Sequence, residues 1–230
     1  QMGTHDLAGF GCEGLHAGVA AAGCLLHYAK DTQRHALPHI NNIRVEHPDD
    51  ALLMDAASRR NLELEFNLGG GEQHTLVALM DRTATAMGAR LLRRWLQRPL
   101  RNHALLHERH QTLETLLVDR NYQGLHSLLK NIGDIERILA RVALRSARPR
   151  DLEKLREGLS ILPEVQLALR PMTSALLQAL TTRINEFPQV HDLLQRALIS
   201  NPPMLIRDGG AIAPGYDAEL DELRALSENA

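Results

Sequence analysis

Residues 80–100 read MDRTATAMGARLLRRWLQRPL, and this stretch decides the fold. Thr83 and Thr85 are residues whose hydroxyls cap the first amides of a helix, and Pro99 forbids its continuation. Between them Met87, Leu91, Leu92, Trp95 and Leu96 recur at helical spacing on one face. Arg90, Arg93, Arg94 and Arg98 fall on the other. The spacing predicts an amphipathic helix packed through its apolar face, with an arginine-rich back. Trp95 is central on the apolar side, so burial is expected, with a loss of about 3–5 kcal/mol on truncation to alanine.

Working outward, helices dominate from Thr75 onward. The periodicity predicts Thr75–Met80, Ala84–Gln97, Asn102–Val118, Tyr122–Leu129, Ile132–Leu144, Arg150–Ser160, Glu164–Leu169, Ser174–Thr182, Val190–Leu198 and Asp217–Ser227. Expected breakers are Pro99, Gly124, Gly133, Pro149, Pro163, Pro171, Pro188 and Pro202–Pro203. Pro149 fits the first turn of a helix but not its interior, so two antiparallel helices should meet around it. Upstream, Gln1–Gly14 is glycine-rich, and Leu15–Thr32 is a helix with a small-residue side. INNIRVE (40–46) and Ala51–Met54 suggest a short β-hairpin turning at His47–Asp50, before a helix starting at Asp55. Gly69–Gly71 reads as a flexible break. In NPPMLIRDGGAIAPG (201–215), the pieces MLIR and AIAP are expected to be extended around an Asp208-Gly209 turn. The fold class is therefore mainly α: a multi-helical core with a small α/β remnant and a short hairpin on its N-terminal side.

With 230 residues there is room for one large domain or two small ones. Hydrophobic content of 44% and charged content of 23% are globular values, which excludes a wholly disordered chain. A formal net charge of −2 argues against a free-standing nucleic-acid binder, and 3% aromatics against single-strand stacking. Of the 26 basic residues three are lysines (Lys30, Lys130, Lys154) and 23 are arginines, which suits fixed ion pairs between elements. Cys12 and Cys24 are the only cysteines, too few for a cysteine zinc site, and read as small apolar residues. No apolar run approaches the roughly 20 residues of a membrane span, and no leader opens the chain; a cytoplasmic location is expected.

His103, His107 and His110 are spaced i, i+4, i+7 on one predicted helix, the sole metal-like pattern, but no carboxylate is placed to orient the rings. Arg137, Arg141 and Arg145 form an i, i+4, i+8 stripe, extended by Arg148 and Arg150; six arginines from Arg82 to Arg101 make a second cluster. Either could grip phosphates. The alternative is ion pairing with neighbouring elements or with the acidic residues Asp217, Glu219, Asp221, Glu222 and Glu228. Asp134 and Glu136 point to different faces and make no carboxylate dyad. Asp208-Gly209-Gly210 lacks the G-x-x-x-x-G-K-[ST] pattern of a phosphate loop, and no catalytic triad is indicated by spacing. No catalytic, cofactor or metal site is expected; Arg137, Arg141 and Arg145 are the candidate DNA contacts.

Several motifs in order carry a family resemblance: DLAGFG (6–11), AAGCLLHYAKDTQR (21–34), LMDAASRRNLEL (53–64), DRTATAMGARLLRRWLQRPL (81–100), IGDIERILARVALRSARPRDLEKLR (132–156) and RDGGAIAPGYDAELDELRAL (207–226). Together they resemble the MutS family of DNA mismatch-repair proteins, in its bacterial form. The resemblance implies that residues 1–40 correspond to the end of the connector domain. Residues 41–230 would be part of the core domain, ending in the ascending lever before the clamp. It implies a parent that binds mismatched double-stranded DNA, uses ATP and Mg as a DNA-dependent ATPase, forms a homodimer and works with the mismatch-repair partner MutL. Phe10, Phe66 and Phe187 lack the context of the family's Phe-x-Glu wedge, and the Walker A loop is missing. No residue for mismatch reading or hydrolysis therefore carries over, and the segment itself is expected to be non-enzymatic. Both ends look cut. Leu220, Leu223 and Leu226 on the last helix form a stripe that would face a returning lever. The opposing reading is an independent helical nucleic-acid module using the arginine clusters.

Overall fold

The computed structural model describes residues 7–33, 37, 40, 42–46 and 50–228. Its architecture is helical. After a 3-10 turn at Ala8–Phe10 come α1 (His16–Gln33), α2 (Ala56–Asn61), α3 (Leu76–Met80) and α4 (Ala86–Gln97). They are followed by α5 (His103–Leu117), α6 (Asn121–Leu129), α7 (Ile135–Ala143) and α8 (Pro149–Leu169), then α9 (Ala175–Arg183), α10 (Pro188–Ala197) and α11 (Ala218–Glu228). Side chains written into the sequence start these helices. Asp55, Thr75, Thr85, Asn102 and Asp134 each accept a hydrogen bond from the amide three residues on.

The 21-residue α8 is the spine of the hub, touching α6, α7, α9 and α10. Its N-terminal half offers Leu155 and Leu159 to Ile138, Leu194 and Leu198. Its C-terminal half offers Val165 and Leu169 to Leu125, Ile132, Met172 and Leu177. Ile135 and Leu162, both half-buried, pack against both groups and join them. Helix α5 closes the far side against α6 and α9, where Thr112 and Ser174 share a buried hydrogen bond of 2.7 Å. Pro149 is the first residue of α8, as its place after Arg148 predicts, and Asp151 accepts from the Arg148 amide at 3.0 Å. Arg141 late in α7 meets Asp151 early in α8, whereas Ile135 early in α7 lies against Gly158 further along α8. The two helices therefore run antiparallel.

The structure corrects several expectations. Pro163 does not separate two helices: α8 runs through it. Interior proline costs one backbone hydrogen bond and about 3 kcal/mol, but Pro163 lies on the exposed side while the residues around it seat two core groups. Packing outweighs the local penalty. Gly124 likewise lies inside α6. Among the described residues the hairpin expected near residues 40–54 is not formed. Residues 42–46 carry no strand, His47–Pro48–Asp49 of the expected turn lie outside the described residues, and Ala51 bridges Leu100 instead. Pro99 ends α4 and leaves its carbonyl free to accept from Leu52 N at 2.8 Å, so a distant partner replaces the local one. Nor do MLIR and AIAP pair across Asp208-Gly209. Ile206–Asp208 is a 3-10 turn, and Ile212 bridges Leu198 at the end of α10. The break at Gly69–Gly71 is an ordered turn, with Asn67 Oδ1 accepting from Gly71 N and its Nδ2 donating to the Gln73 carbonyl. Among the described residues the N-terminal part contributes α1 but no strand, and the alanines and glycines of α1 other than Ala29 are exposed.

Candidate functional site

The signature helix α4 meets the hub through Met87 of its apolar face, which packs against the group around Leu125 and Val165, and through Arg90 of its arginine face. Arg90 reaches α7 with both nitrogens: Nη1 and Nη2 donate to Asp134 at 2.7 Å each, and Nη2 also meets Glu136 at 2.6 Å. A forked guanidinium matches a carboxylate in this way, and a lysine could not. Gln97 donates to Glu65 at 2.6 Å, Arg98 pairs with Glu46, and the His126 ring bonds the Arg82 carbonyl at 3.0 Å. Asp134 and Glu136, read as facing apart, are thus joined through one arginine. The apolar face is left half open. Trp95 is 43% exposed and Leu91 45%, and the Arg109 guanidinium of α5 lies 3.7 Å from the centre of the Trp95 ring. The expected burial of Trp95 is corrected: the helical period located the face but not its covering. Trp95→Ala should therefore cost about 1–2 kcal/mol, mostly the cation–π contact and stem packing. Tryptophan emission of the native chain should lie toward the solvent-exposed position, and a strongly blue-shifted maximum would contradict this placement.

The Arg90 guanidinium, donating hydrogen bonds, holds the Asp134 carboxyl below the usual carboxylate range, helped by the Arg137 amide; the two carboxylates in turn raise Arg90. A carboxyl lowered in the folded state stabilises it above the unfolded value near 4. That contribution is lost as pH falls through the folded value. Asp134→Asn should accordingly lower the melting temperature at neutral pH, and the gap to the native chain should shrink on acidification below about pH 4. A gap constant from pH 7 to pH 2 would remove the ion pair from the account.

A second polar chain connects the hub to α11. Arg156 of α8, 9% exposed, donates to the carbonyls of Leu198, Ile199 and Ser200 at 3.3–3.4 Å, just past the end of α10. Leu198 bridges Ile212. The Ile212 carbonyl accepts from Arg224 of α11 at 3.0 Å, and Arg224 also pairs with Asp221, whose other oxygen takes the Gly215 amide. The foot of α11 is fixed in this way, while Leu223 and Leu226 stay 57% and 63% exposed and Leu220 half-buried.

The arginine stripe of α7 is divided. Arg137 pairs with Asp134 at 3.5 Å and Arg141 with Asp151 at 2.6 Å, its Nε being buried without an acceptor. Arg145 instead lines a recess with Arg148 and Arg207. The inter-element pairs of both clusters go to neighbouring elements. Among the described residues none goes to Asp217, Glu219 or Glu222, and Asp221 pairs only within α11. His103, His107 and His110 join no group able to hold a metal among the described residues. Cys12 is buried and Cys24 exposed. No helix is long and apolar enough to cross a membrane. Sequence reasoning missed Arg156 and Arg224. Both sit in motifs it had marked, but their acceptors are backbone carbonyls, which no residue pattern displays.

A multi-helical scaffold whose polar side chains tie element to element is the class these features define. The family model for MutS domain III matches residues 57–230, and that for MutS domain II matches residues 1–41. The chain belongs to the MutS family of DNA mismatch-repair proteins, represented here by parts of its second and third domains.

Proposed function

We propose that this chain is the mechanical hub of a mismatch-repair protein, linking a DNA-gripping clamp to an ATPase while carrying no catalytic site or cofactor of its own. The observation that carries this reading is the unbroken run of directional contacts from α4 to α11. Arg90 ties α4 to α7, Arg141 and the shared core tie α7 to α8, Arg156 ties α8 to the segment after α10, and Arg224 ties that segment to α11. A coupling element must transmit displacement, which a rigid, doubly anchored path can do. ATP, Mg, mismatched double-stranded DNA, MutL and a second subunit are assigned to the parent, acting in the cytoplasm. The distribution of arginines favours the hub over an independent nucleic-acid module, because Arg90, Arg93, Arg98, Arg137 and Arg141 are engaged by carboxylates. The test is Arg224→Ala in the parent. Basal ATPase should persist while its response to mismatched DNA falls. Loss of both together, or of neither, would count against coupling through this joint.

A further inference from the structure

We propose that Arg145, Arg148 and Arg207 form a second, sequence-independent contact for the phosphodiester backbone of duplex DNA, beyond the coupling role. Three arginines from three separate segments line one open recess of about 480 Å³: the turn after α7, the residue capping α8, and the 3-10 turn at Ile206–Asp208. Most arginines nearby are spent on carboxylates or carbonyls, as Arg137, Arg141, Arg150 and Arg156 show. Arg145 and Arg148 have no carboxylate partner among the described residues, and Arg207 has only Asp208 at 3.9 Å. Yet their backbones are fixed. The Arg148 amide donates to Asp151, and Pro149 is buried behind it. Arg145 is held at φ 54°, with its amide on the Val142 carbonyl and the next amide on that of Arg141. A non-glycine residue in this left-handed region is costly, and such strain persists where the surroundings impose it. Here it turns the chain so that Arg145 joins the other two rather than its own helical stripe.

The lining selects the ligand. Forked, permanently charged donors suit phosphate oxygens. The rest of the lining is Ser146, Ala147, Leu205 and Ile206. The recess holds no aromatic ring on which an unpaired base could stack, and its arginines, which could read guanine from a helix or ribbon seated in a groove, here sit between segments. Backbone contact to an intact duplex, without sequence preference, is what remains.

The experiment follows duplex binding to the 230-residue chain by fluorescence anisotropy across a salt series. The variant combines Arg145→Asn, which tolerates the left-handed backbone, with Arg148→Gln and Arg207→Gln. A control removes the same charge elsewhere through Arg59→Gln, Arg170→Gln and Arg183→Gln. Circular dichroism checks both folds. The slope of log affinity against log salt should flatten by about 2–3 in the recess variant, near 0.9 per lost phosphate contact, and change little in the control. If the triple variant does not fold, Arg207→Gln alone, on an exposed turn, should flatten the slope by about 1. Equal losses in recess variant and control would overturn the site. Recess-dependent binding of inorganic pyrophosphate at constant ionic strength, with duplex binding unaffected by the variant, would overturn the DNA assignment in favour of a free phosphate ligand.

Discussion

Arg156→Met is expected to destabilise the chain by about 2–3 kcal/mol. The methionine keeps much of the stem packing against α10 but removes the donors for three carbonyls, those of Leu198, Ile199 and Ser200. The contact to Leu198 is buried, and its carbonyl left without a donor costs about 1–3 kcal/mol, while those to Ile199 and Ser200 are part-buried and cost less. The guanidinium also sits where the carbonyl end of α10 concentrates negative potential, so its positive charge is itself favourable there. Arg156→Lys should recover only part, since one ammonium cannot span three acceptors as a planar fork does. Urea melts measure the loss. Hydrogen exchange should localise it to residues 198–213, because the Ile199–Ala211 and Ala213–Ala197 hydrogen bonds depend on the same segment. A loss under about 1 kcal/mol would show that water replaces the arginine freely.

The same residue shows what a sequence can and cannot display. Helices were legible because their signals are local. Thr85 and Asn102 sit at the starts that their capping bonds require, and Pro149 opens a helix. Asp134, expected inside a helix from Ile132, instead caps one from Ile135, and Pro188, expected as a breaker, is the first residue of α10. Pairing between distant segments was not. The Arg90–Asp134 fork spans 44 residues, and Ala51 found Leu100 rather than the neighbouring run that periodicity suggested. Trp95 marks a different limit. Amphipathicity says which side of a helix is apolar, but not whether another element covers it, and here the cover is one guanidinium. Pro163 marks a third, since local propensity is overridden wherever a helix seats two core groups. The family motifs identified the class of protein, while the division of arginines into anchors and recess liners emerged only from the fold.

The largest effect is expected from Ile135→Ala combined with Leu162→Ala. Each side chain packs against both apolar groups along α8. Each truncation should cost about 2–4 kcal/mol, the low end applying where half-exposure lets the site relax. Their consequence differs from that of Leu159→Ala or Leu169→Ala, which weaken one group each and should leave unfolding a single cooperative step. Removing both shared residues takes away contacts through which the N-terminal half of α8, with α7 and α10, unfolds together with the C-terminal half, with α6 and α9. Thermal unfolding of the double variant should become broad, with hydrogen exchange around Leu125 and around Leu194 no longer lost at one denaturant concentration. The two alanine costs should also fail to add, because the residues share neighbours. A sharp single transition, merely shifted down, would mean that α8 itself carries the cooperativity as a continuous helix. In that case the rigidity needed to connect α4 with α11 would reside in its backbone rather than in the two side chains that join its cores.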